Sequence, residues 1–272
     1  MWKPRQNLII ELHKGFLKNA ALSHPESLAK KGRVSSKLVD IFRIFQVVKG
    51  RRIMKRSLIY WLGLTGIAAL MSYAAAVIFA PLAYPGYNWM AQAVSDLSAG
   101  AAPSRQLWNR LAAPYNSCSV VCATCVALFV SQYQVSSRLF RVGIYLFTAM
   151  NWVSAVGYGM FPLADGGKEI ASFQEIMHIV VTAAVVLLSI ASLVCLIIAG
   201  YRGRRSRGIA VWAAVALGMM LVGSIGTGVV PPEYFGIVER FSVFAAVGFN
   251  AVLGWYLFNG FRSITDSSSS VS

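Results

Sequence analysis

From residue 57 onward the chain alternates between long apolar runs and short polar connectors. Runs lie near 57–80, 115–134, 141–163, 173–199, 209–230 and 236–259, and each is long enough to cross about 30 Å of hydrocarbon as a helix. The run 173–199 has length to spare for tilting or protruding. The run 115–134 is the weakest, because Ser119, Thr124, Cys118, Cys122 and Cys125 interrupt it. The pattern predicts an all-α polytopic transmembrane bundle of six spans, give or take one. No internal repeat supports an inverted-repeat transporter architecture.

Residues 1–56 follow a different pattern. Asn7–Ile10 and Leu38–Phe45 show helical spacing with Lys and Arg scattered among the apolar positions, which predicts an interfacial amphipathic helix over about 36–49. A second reading stays open. Met54-Lys55-Arg56 stands directly before the first long apolar run, where a short basic leader would stand, so the chain could start at Met54 with the upstream sequence an artefact. At the other end, residues 261–272 form a serine-rich tail predicted to be disordered.

Composition narrows the class. Of 272 residues, 57% are hydrophobic and 13% charged, with a mean hydropathy of +0.60; a soluble domain cannot hide that much apolar surface behind so few charges. Soluble enzymes, soluble regulators and secreted scaffolds are excluded. The formal net charge is +15, of which residues 1–56 supply +11, from 14 Lys/Arg against Glu11, Glu26 and Asp40. A basic arm ahead of a span is a topology signal that also contacts anionic lipid. It is not the distributed phosphate-neutralising surface of a nucleic-acid binder.

The connectors set the orientation. The arm, the turn 135–140 with Arg138 (and Arg141 just beyond), and the turn 200–208 with four arginines fall on one side. The opposite side holds 81–114, 164–172 and 231–235, with Asp96, Asp165, Glu169 and Glu233 against Arg105, Arg110 and Lys168. The positive-inside rule then places both termini in the cytoplasm, in a cytoplasmic (inner) membrane.

Candidate chemistry gathers on the predicted outer side. Tyr84-Pro85-Gly86-Tyr87-Asn88-Trp89 reads as an interfacial turn, and 88–102 as a short helix in or near the interface, with Asp96 a cap or a site carboxylate. His178 is the membrane domain's single histidine; Glu175 and Thr182 share its helix face. That group is either a clasp between helices or a base oriented by a carboxylate. Glu239-Arg240 opens the sixth run. With Asn109, Arg110 and Asn151 it could enclose a lipid headgroup, an arginine facing phosphate, or lock helices together.

Other classes fit poorly. One histidine excludes a three-histidine zinc site, and neither Ser95 nor Ser98 lies in a nucleophile elbow. The cysteines read as small buried hydrophobes. The glycines of 157–159 and 223–228 lack a strand–turn–helix setting and read as close-packing positions. No cofactor is predicted.

Pro85-Gly86-Tyr87-Asn88, Ser95-Asp96-Leu97-Ser98-Ala99-Gly100 and Asn109 resemble the first-loop signature of the domain-of-unknown-function family numbered 998. Gly159-Met160-Phe161-Pro162 with Asp165, then His178, then Gly236-Ile237-Val238-Glu239-Arg240 resemble its later landmarks. The resemblance covers about 57–260. It implies a compact six- or seven-span prokaryotic membrane bundle without an established activity, and points to Asp96, His178, Glu239 and Arg240. The expectation is a membrane protein with an outer-leaflet polar pocket that binds or handles a lipid or small amphiphile, or serves a structural role. The rivals are a lipid hydrolase or transferase using His178, Asp96 and Glu175, and a proton-coupled transporter.

Overall fold

The computed structural model describes residues 57–163, 172–203 and 206–261. The basic arm with its interfacial helix, the connector carrying Asp165, Lys168 and Glu169, Arg204 and Arg205, and the tail from 262 lie outside the described residues.

Among the described residues there are six helices long and apolar enough to span a membrane, the number that the apolar runs predict: span 1 Leu58–Ala83, span 2 Arg105–Gln132, span 3 Arg138–Met160, span 4 Phe173–Arg202, span 5 Arg207–Gly226 and span 6 Pro232–Phe258. The protein is an all-α polytopic membrane protein. Spans 1 to 5 each pack on the next in sequence, and span 6 packs on spans 1, 2 and 5. Two ends are distinguishable. The base is where span 1 begins and span 6 finishes, with the Trp61 and Phe258 rings 5.4 Å apart. The loop end carries the connector between spans 1 and 2.

Span 2 differs from expectation. It begins at Arg105, ten residues before the apolar run, and passes through Pro114 without ending. Its first turns carry Arg105, Gln106, Asn109 and Arg110, all exposed. A hydropathy window scores such turns as loop, although nothing in them opposes helix. The true connector is therefore shorter than 81–114, and 88–102 is built of turns, with a single 3-10 turn at Ser95–Ser98.

The core is layered along the bundle. Phe140, Ile144 and Phe147 of span 3 pack with Leu193 and Leu196 of span 4, Leu253 and Leu257 of span 6, and Phe129 of span 2. Spans 1 and 6 cross so closely that a Cβ on Gly254 would meet the Gly63 carbonyl oxygen and come within 2.9 Å of Cys122 Sγ. Small residues allow such crossings, and lipid supplies no hydrophobic drive to replace them. Phe261, counted with the tail by composition, is fully buried. Gly260 and Phe261 take positive φ of 68° and 50° and fold the ring back to stack 5.6 Å from Phe129.

Candidate functional site

The loop end is held by the start of span 6. Arg240 Nη1 donates to the carbonyls of Trp89 at 2.7 Å, Gln92 at 3.2 Å and Gly236 at 2.6 Å, while Nη2 donates to the Tyr87 hydroxyl at 2.8 Å. Tyr87 in turn donates to the Ala93 carbonyl at 2.8 Å. Glu239 accepts from the Val94 amide at 3.0 Å, and the Ile237 amide donates to Met90 O at 3.2 Å. A glycine is required beneath: a Cβ on Gly236 would collide with the Gln92 and Trp89 carbonyl oxygens.

Adjacent residues on a helix diverge by about 100°, and here Glu239 and Arg240 take separate partners on the same loop. Asp96 joins them. Its Oδ2 accepts from the Ala93 amide at 3.1 Å, and it lies within electrostatic reach of both Arg240 and Glu239. Burial pushes the Asp96 carboxyl above its ordinary range, opposed by the Ala93 bond and the Arg240 charge. Burial likewise raises the Tyr87 phenol, opposed by Arg240. The loop's other edge is tied by Ser104 Oγ to Leu97 O at 2.8 Å and by Gly100 N to Leu163 O at 3.0 Å.

Below the loop, Tyr73 is buried against Trp108, Tyr115 and Phe244, with ring centroids 5.7, 4.8 and 5.8 Å away. Farther along the bundle, His178 stands beside Tyr158, whose ring lies 5.1 Å from the imidazole and whose hydroxyl donates to Thr182 at 3.1 Å. His178 Nδ1 lies 2.8 Å from the Phe161 carbonyl, an acceptor that requires the proton on Nδ1. Glu175 completes a capping box with Ser172 at the start of span 4.

The remaining candidates separate. Asn109 and Arg110 are exposed on span 2. Asn151 is buried deeper, where its Oδ1 accepts from Ser119 Oγ at 2.6 Å, and Asn250 Nδ2 donates to the same Ser119 Oγ at 3.0 Å. Asn250 Oδ1 is buried with no hydrogen-bond partner among the described residues. This small polar knot joins spans 2, 3 and 6, about midway along spans 2 and 3. Sequence reasoning missed Asn250, Tyr73 and Tyr115, and read Tyr87 only as part of an interfacial turn. For Asn250 the signal was an amide amid an apolar run.

One further feature shares Phe244 with the cluster around Tyr73 and runs from there toward the base. A groove of about 770 Å³ opens between spans 1, 5 and 6. Ile67 and Leu70 form one wall, Trp212, Val215 and Met219 the other, and Phe244, Gly248 and Val252 the floor; Trp255, Tyr256 and Asn259 carry it to the base. Its size falls within the range of small-molecule pockets. Its walls are almost entirely apolar, and all but Asn259 and Phe261 belong to membrane-spanning helices.

These features define a polytopic helical membrane protein with a clasped loop at one end and an apolar groove toward the other. The chain belongs to the family described as "Protein of unknown function (DUF998)", whose model matches residues 67–256. No curated protein and no solved structure matches it.

Proposed function

We propose that the protein binds or handles a lipid or small amphiphile laterally, from within the bilayer, and that the groove between spans 1, 5 and 6 is where it does so. The groove carries this reading: it is concave, about 770 Å³ in volume, and open in the zone where acyl chains are the solvent. The loop-end residues Asp96, Glu239 and Arg240 act as a clasp, because their hydrogen bonds go to the loop's own amides, carbonyls and the Tyr87 hydroxyl. The groove, rather than an outer-leaflet polar pocket, is therefore the preferred ligand position.

The proposed setting is a cytoplasmic membrane with both termini inside. Charge asymmetry supports it. Among the described residues, Arg138, Arg141, Arg202 and Arg207 flank the base, while Asp96, Glu175, Glu233 and Glu239 all lie toward the loop end. The basic arm would then face the leaflet richest in anionic lipid.

A phospholipid with a photoactivatable group midway along one acyl chain tests this in proteoliposomes. Labelling should concentrate on peptides spanning Trp212–Met219 and Phe244–Trp255. Even labelling of every lipid-facing span would overturn the reading.

A further inference from the structure

Resting on the groove as the ligand position, we propose that its occupant is an anionic phospholipid drawn from the leaflet at the base, its acyl chain along the floor and its headgroup at the start of span 5. A lipid tail is as apolar as the groove wall, so moving it from bilayer to groove gains no hydrophobic energy. Shape and the headgroup must supply any preference.

The headgroup end is defined by geometry. Tyr256 lines the groove, and its hydroxyl abuts Gly208, 2.5 Å from where a Cβ would stand. Arg207, exposed, is the next residue, and opens span 5. Arg202, also exposed, ends span 4 on the same side. Among the described residues no carboxylate lies at this end; Asp96, Glu175, Glu233 and Glu239 are all toward the other. Among the described residues, this end of the groove thus has arginines near it and no carboxylate, which complements a phosphodiester. A guanidinium suits that group through its planar fork of donors.

The floor provides a clean way to close the site. Gly248 lines the groove, and a Cβ there would meet nothing within 4 Å, so a side chain at this position starts out into the groove with its first carbon clear of the protein. Gly218, on span 5 but outside the lining, is equally unobstructed and serves as the control.

The experiment is native mass spectrometry of the full chain in a mild non-ionic detergent. Phosphatidylglycerol or phosphatidylcholine with identical acyl chains is added, and Gly248→Leu, Gly218→Leu and Arg207→Gln are compared with the unmodified protein. Phosphatidylglycerol should be retained about tenfold more than phosphatidylcholine. Gly248→Leu should abolish retention, Gly218→Leu should leave it unchanged, and Arg207→Gln should level the two lipids. Equal retention of both lipids, lost in Gly248→Leu, would overturn the anionic assignment while leaving the groove as a lipid site. Retention indifferent to Gly248→Leu would overturn both. A dimer that Gly248→Leu dissociates would assign the groove to a second copy and overturn the proposal.

Discussion

The two ends of this bundle use opposite chemistry on the same helix. Where span 6 begins, Gly236, Glu239 and Arg240 meet a loop, and their donors and acceptors are engaged in binding it. Two to three turns further on, Gly248 and Val252 face an open apolar groove. Polar side chains at the loop end thus serve closure, and the groove proposed as the ligand position is lined where large side chains are withheld. Polar residues in a membrane domain invite a functional reading. In this protein the groove lies instead along a mostly apolar stretch, with Tyr256 and Asn259 at its base end.

Removing the clasp should have the largest effect. Arg240→Met leaves the Trp89, Gln92 and Gly236 carbonyls and the Tyr87 hydroxyl without their shared donor. Hydrogen bonds to a charged group contribute about 1.5–3 kcal/mol each but are not additive here, so a loss of about 3 kcal/mol is expected. Thermal unfolding in detergent would show it, and proteolysis should newly cut within 84–104. Arg240→Lys keeps the charge but not the fork and should recover only part of the loss. A loop that stays protected in Arg240→Met would mean that the Ser104 and Gly100 contacts hold it unaided, and the contrast between the ends would weaken.

The next effect compares two glycines six residues apart. Gly254→Ala places a methyl against the Gly63 carbonyl and Cys122 Sγ, whereas Gly248→Ala places the same methyl in open space. The first should destabilise by about 1–3 kcal/mol through overpacking. The second should be neutral or stabilising by about 0.5 kcal/mol, as alanine replaces glycine in a helix. Equal effects on the unfolding midpoint would mean that the groove closes around Gly248 in the membrane.

How far the sequence foretold this depends on the range of each interaction. The spans were legible because hydrocarbon thickness imposes a local length and composition on every crossing. The start of span 2 was not, because Asn109 and Arg110 score as loop while their backbone is helical. The sequence put Asp96, Glu175, His178, Glu239 and Arg240 on one side of the membrane without showing which are neighbours; that the loop is the partner of Asp96, Glu239 and Arg240 required knowing how 84–100 turns back across span 6. His178 shares that side yet stands on span 4, beside Tyr158 and Phe161. Depth is one coordinate, and lateral position comes only from packing. The groove was invisible for the same reason: Gly248 reads as one more small residue in an apolar run, and only the placement of spans 1 and 5 leaves it uncovered.

The smallest expected effect concerns Asp96, and its sign follows from the environment of the loop. Burial holds its carboxyl above the ordinary aspartate range, so the folded protein binds that proton more tightly than the unfolded chain does. The contribution of Asp96 to stability is therefore greatest below the usual aspartate range, and is lost as pH rises through the raised value. Asp96→Asn keeps an oxygen for the Ala93 amide and removes the ionisation. At neutral pH the variant should match or slightly exceed the unmodified protein, within about 0.5 kcal/mol. The gap between the two unfolding curves should reverse or close as pH is lowered into the acid range. A variant markedly less stable at neutral pH would show that the negative charge beside Arg240 outweighs the burial of the carboxylate. Asp96 would then be a charged member of the clasp instead of a tolerated passenger in it.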